Sequence, residues 1–92
     1  MAYSQQVIDA VQSAPKTLGN QLGRWAVYLD FPVTKISELT GVSRQTIYNW
    51  FSGGEVFVAY RPTVTSLVQI LQSSGTAEEA WSKACKAFDH NS

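Results

Sequence analysis

The run Ile36-Ser37-Glu38-Leu39-Thr40-Gly41-Val42-Ser43-Arg44-Gln45-Thr46-Ile47-Tyr48-Asn49-Trp50 carries two short helical patterns with a glycine between them. The first pattern begins after Phe31-Pro32, which breaks the preceding helix, and Thr34 is placed to cap it. Gly41 suits the left-handed position that ends a helix, where a Cβ would be strained. Ser43 is the expected N-cap of the second pattern, and Gly53-Gly54 stops it. Two short helices that cross steeply need a small residue at the crossing, a glycine in the turn and apolar residues facing inward. Ser37 and Gly41 meet the first two needs, and Ile36, Val42, Ile47 and Trp50 the third.

Outward from this pair, covering residues 33–51, the remaining periodicities are also helical. Val7, Ile8 and Val11 mark a first helix over about 4–13, with Ser4 as its cap and Ala14-Pro15 as its end. Leu18, Leu22, Trp25, Ala26 and Leu29 line one face of a helix over 17–29. Gly19 and Gly23 within it each cost about 1 kcal/mol against alanine, so they mark a close approach by a neighbouring helix. Val64, Leu67, Val68, Ile70 and Leu71 predict an apolar helix over 63–72, with an extended entry at Arg61 imposed by Pro62. Thr76 followed by Glu79 reads as a capping box for a last helix over about 76–89. Only residues 55–60 have strand propensity, and they are too few to build a sheet. The expected fold is all-α: one domain over residues 1–92, a compact bundle of about five helices.

Composition agrees with a folded domain. Apolar residues make up 45% of the chain and charged residues 15%, the reverse of a disordered profile. Trp25, Trp50 and Trp81 each sit on an apolar helical stripe and are expected in the core. Cys85 has no partner for an internal disulfide, and is expected to be buried and inert in a reducing cytoplasm. His90 is the one histidine, so neither a metal site nor a catalytic nucleophile and base pair is expected; Lys83, Lys86 and His90 read as a solvated face. No apolar run is long enough to span a bilayer, and no secretory signal pattern opens the chain.

The stretch from 33 to 51 resembles the helix-turn-helix of phage and bacterial repressors of the Cro/cI-like class. The likeness extends over residues 17–74, since such proteins have a helix before the motif and a Leu-rich helix after it, as at 63–71 here. Two departures stand out: the segment between Phe51 and Pro62 is long, and Thr40 occupies a place where apolar residues are common. The resemblance implies a sequence-specific regulator of transcription that acts by occupying an operator or promoter. It further implies no enzyme activity and no cofactor, metal or small-molecule ligand.

By helical period, Ile47 and Trp50 face inward and Arg44, Gln45, Tyr48 and Asn49 outward. Arg pairs with guanine, Gln and Asn with adenine, and Tyr reaches a phosphate or a thymine methyl. Thr34, Lys35, Ser43 and Thr46 lie at the two helix N-termini, where free N–H groups attract phosphate. Formal net charge is zero, so binding has to rest on few phosphate contacts and gain from a second copy. Val56, Phe57, Val58 and Tyr60 are the candidate homodimer surface. Two other functions fit the same fold: a protein-interaction module using residues 56–60, and a DNA-targeting accessory factor in recombination or replication.

Overall fold

Six α-helices and one 3-10 turn make up the regular structure of residues 2–88, which are the residues described by the computed structural model. In chain order they are α1 (Gln5–Ser13), α2 (Leu18–Leu29), α3 (Val33–Thr40), α4 (Arg44–Phe51), the 3-10 turn Val58–Tyr60, α5 (Arg61–Gln72) and α6 (Ala77–Ala87). The fold is all-α, and no strand occurs among the described residues. The reading of a last helix reaching Asp89, and the place of His90, lie outside them. A Cα radius of gyration of 11.9 Å matches the value of about 12 Å for one body of this length.

Local chemistry sets most helix starts. Ser4, Thr17, Ser43 and Thr76 each adopt extended backbone and accept a hydrogen bond from the N–H three residues on. At α6 the capping box is displaced by one residue. Thr76 Oγ1 accepts from the Glu79 N–H at 3.1 Å, but the Glu79 carboxylate reaches back to the Gly75 N–H at 2.8 Å. That backbone bond, followed by the hydrogen bond and charge of Lys83, holds the Glu79 carboxyl below its ordinary range. Lys83 also donates to the Ser73 carbonyl at 2.8 Å, so it closes the end of α5 and is not simply solvated as its position suggests.

Three local expectations are corrected. The N-cap of α3 is Pro32, without a side-chain hydrogen bond; Thr34 already lies inside the helix, where its hydroxyl cannot cap. Residues 55–60 form no strand, because no second strand is present to satisfy their backbone; Val56 is buried and the 3-10 turn follows. Arg61 is helical rather than extended, with φ −58° and ψ −44°. Pro62 sits in the first turn of α5, where a missing N–H costs nothing, so the 3-10 turn runs straight into the helix.

The core is built around α2, which packs on α1, α4 and α5, while α3 packs on α4 and α6. Leu22, Ala26, Phe31, Ile36, Ile47, Phe51, Val64, Leu67, Leu71, Ala80 and Ala84 are fully enclosed. Trp50 is buried as expected, whereas Trp25 and Trp81 are half-buried at the edge and Cys85 is half-buried rather than enclosed. Gly19 and Gly23 do mark a close approach. A Cβ on Gly19 would lie 2.7 Å from the Trp50 carbonyl oxygen, and one on Gly23 2.8 Å from the Phe51 ring.

The segment before α1 is tied into this core by Tyr3. Its ring packs edge-on to Phe51 at 5.9 Å, and its hydroxyl donates to the Phe31 carbonyl at 2.6 Å. Burial, then the neighbouring Tyr48 and Asp30, push its pKa far above the ordinary tyrosine value of 10.0. A folded-state pKa raised in this way gives stability that is complete below pH 10 and is lost as the pH rises further. Wild-type stability is therefore expected to fall by about 1 kcal/mol between pH 10 and pH 11. Tyr3→Phe loses about 1 kcal/mol at neutral pH with the hydrogen bond, and lacks that alkaline slope. Urea unfolding at pH 7, 10 and 11 measures both; parallel slopes for the two proteins would refute the assignment.

Candidate nucleic-acid interface

The turn between α3 and α4 is held by side chains of α3. Gly41 adopts φ 74°, and its N–H closes the helix on the Ser37 carbonyl at 2.8 Å. Ser37 Oγ donates to the Val42 carbonyl at 2.7 Å. Thr40 Oγ1 donates to the Ile36 carbonyl at 2.8 Å and accepts from the Val42 N–H at 3.2 Å. The hydroxyl at position 40 thus does a job that an apolar residue could not. With polar contacts from α3 holding both Gly41 and Val42, α4 leaves α3 in one set direction.

Val42, Ile47, Trp50 and Phe51 fill the inner side of this pair, with Ile36 facing them from α3. On the outer side Arg44, Gln45, Thr46 and Asn49 are exposed, as their spacing predicts. Tyr48 differs. Its ring stands edge-on to Phe51 at 6.0 Å and is half-buried, so it props the outer face and offers only part of itself to a ligand. It lies one turn beyond Arg44, directly over the aromatic layer that the period-based reading left out of account.

Arg44, Gln45 and Tyr48 share a shallow concavity of about 470 Å³ with Thr34, Val33, Pro32 and Ala2. Ala2 and Pro32 were not among the sequence candidates. Ala2 is brought there by Tyr3 and by its own N–H, which donates to Asp30 Oδ1 at 2.6 Å. A signal for this existed: an aromatic residue directly before the Ser4 cap occupies the staple position of a helix start.

The four expected phosphate-facing residues divide. Thr34 is exposed on the rim of the concavity. Ser43 and Thr46 are exposed at the α4 N-terminus, where Ser43 Oγ donates to Thr46 Oγ1 at 3.0 Å and accepts the Thr46 N–H at 3.3 Å. That leaves the Thr46 hydroxyl hydrogen to donate outward. Lys35 is turned away, about 100° round α3 from Thr34, with its Nζ 4.2 Å from the centre of the Trp81 ring. It binds α3 to α6, which sequence spacing could not show because Trp81 comes from a distant helix.

The four candidate interface residues at 56–60 divide as well. Phe57 and Val58 are 67% and 71% exposed, but Val56 is a 3% exposed anchor in its own core. Tyr60 leans on Trp50, with ring centres 6.0 Å apart. No helix among the described residues is long and apolar enough to cross a membrane, and no cluster of three potential metal ligands occurs among them. No protein-family model, curated protein or solved structure matches the chain.

Proposed function

We propose that the protein is a sequence-specific duplex-DNA-binding regulator of transcription, with α3, its turn and α4 acting as a helix-turn-helix. The observation that carries this reading is the outer face of α4. Arg44, Gln45 and Asn49 are exposed on a helix whose other side is locked into the core, and an ordinary solvated helix face would carry Glu and Lys pairs instead. Their amide and guanidinium groups match the major-groove edges of adenine and guanine. Thr34 and Thr46 flank that face and suit phosphate oxygens. The protein acts by occupying an operator or promoter in the cytoplasm of a bacterial cell or phage-infected host. It acts as a homodimer, since one short helix on a neutral domain makes few contacts.

Site selection from a random duplex pool, followed by gel shift, tests the reading. Arg44→Ala with Gln45→Ala is expected to lower affinity for the selected site by about 100-fold, at tenfold or more per lost base contact. Both positions are exposed, so the variant should unfold at the wild-type temperature. With Lys35 withdrawn onto Trp81, the slope of log K against log salt should be shallower than about −8. No binding by the wild type at low salt, or equal binding by the variant, would show that α4 does not read DNA. A selected pool that shares no sequence would favour a DNA-targeting accessory role.

A further inference from the structure

Two apolar patches on this surface are left over by the DNA reading, and they carry opposite charge. One is the tip before α5, where Phe57 and Val58 stand exposed beside Glu55. The other is the outer face of α2, where Arg24, Trp25 and Tyr28 line an apolar depression of about 380 Å³. Tyr28 is 78% exposed, the largest exposure of any bulky apolar side chain among the described residues, and the Trp25 ring meets it edge-on at 5.7 Å. Arg24 gives its Nε to Asn20 Oδ1 and an Nη2 hydrogen to the Gln12 carbonyl, both neutral acceptors, so no carboxylate offsets its charge there. Glu55 has no ion pair or hydrogen bond among the described residues.

We propose that these patches are the two halves of one self-association contact, in which the Glu55, Phe57 and Val58 tip of one copy seats in the Arg24, Trp25 and Tyr28 depression of another. Phe57 and Val58 supply the apolar body, the two aromatic rings the walls, and Glu55 with Arg24 a charge pair at the rim. A tip meeting a second tip would set Glu55 against Glu55, which charge opposes. Tip and depression lie apart on one copy, because Tyr28 borders the turn after α5 and the tip precedes that helix, whose length is about 18 Å. The contact therefore joins unlike surfaces head to tail, so it is distinct from the two-fold contact of the proposed homodimer, and the patches are small. Association in free solution is expected to be weak, with a Kd on the order of 10⁻⁴ M. The inference stands apart from the DNA reading and is tested without DNA.

Sedimentation of the full chain up to about 1 mM, roughly tenfold above that Kd, is the measurement. Wild type should show concentration-dependent association. Phe57→Asp and Tyr28→Asp should each weaken it at least tenfold without changing the thermal unfolding temperature, since both side chains point outward. An equimolar mixture of the two variants should associate again, because each retains the half that the other lacks. Glu55→Arg should also weaken association, and less so at high salt. A wild type that stays monomeric overturns the proposal. So does a Tyr28→Asp protein that associates like wild type while Phe57→Asp does not, which would mean tip against tip. Failure of the mixture to associate overturns it as well.

Discussion

Gly19→Ala is expected to destabilise the fold by about 2–3 kcal/mol, although the same change at an open helical position stabilises by about 1 kcal/mol. The sign is decided by what the new methyl group meets. Its carbon would lie 2.7 Å from both the Trp50 carbonyl oxygen and the Trp50 Cβ, and 2.9 Å from the Trp50 Cα. These are backbone or backbone-proximal atoms of α4, so no side-chain rotation relieves the clash and the two helices have to separate. Separation loosens the contact over its whole length, including Gly23, where a methyl group would meet the enclosed Phe51 ring at 2.8 Å. Gly23→Ala is expected to cost less, since the nearest atoms its methyl group would meet, Phe51 Cγ at 2.8 Å and Cβ and Cδ1 at 3.0 Å, all belong to a side chain. Urea unfolding orders wild type above Gly23→Ala above Gly19→Ala. A Gly19→Ala protein as stable as wild type would show that α2 and α4 do not pack this closely. The same displacement moves α4 as a unit, so on the proposed function DNA affinity should fall with stability even though none of the outer α4 residues changes.

How much of this could be read beforehand follows the range of each interaction. The glycine pair four residues apart was legible because glycine in a helix has a known local cost, and a close neighbour offsets it. Gly41, the Ser43 cap and the inward set Ile36, Val42, Ile47 and Trp50 were legible because caps and periodicity act within a few residues. Lys35 was misplaced for the opposite reason: its partner, Trp81, is brought in by α6, and no local rule distinguishes a phosphate-facing lysine from one over a distant ring. Tyr48 was read as exposed because period alone ignores the aromatic layer formed by Phe51 and Tyr3. Residues 55–60 looked like a strand because β-branched and aromatic residues serve equally well to bury one anchor and expose its neighbours. Val56 is that anchor, and Phe57 and Val58 are those neighbours.

Asn20 was invisible to pattern reading, and its replacement is expected to have the largest effect of all, about 3–5 kcal/mol for Asn20→Leu. It is the one fully buried polar side chain among the described residues. Its Nδ2 group donates to the Val11 carbonyl in α1 and to the Phe51 carbonyl at the end of α4, both at 2.8 Å. Its Oδ1 accepts from Arg24 Nε at 2.8 Å, and Arg24 goes on to the Gln12 carbonyl at 2.9 Å. Leucine keeps the branching at Cγ but is bulkier, and it leaves two carbonyls without a donor and Arg24 Nε without an acceptor, at about 1–3 kcal/mol for each buried group. Against a total stability of about 5–14 kcal/mol for a chain of this length, the loss is a large share. Asn20→Asp separates lost hydrogen bonds from lost shape. An ionised carboxylate facing two carbonyls cannot donate, and burial with that repulsion, set against the single charged contact from Arg24, should raise its folded-state pKa above the ordinary value of about 3.9. Its contribution to stability is then fullest below that value and is lost as the pH rises, so the variant should gain on wild type between pH 7 and pH 5. Urea unfolding at the two pH values reads this directly. A gap between the variants and wild type that stays below about 1 kcal/mol at both would mean that solvent reaches the site and the Asn20 clamp does not hold α1 and α4 together.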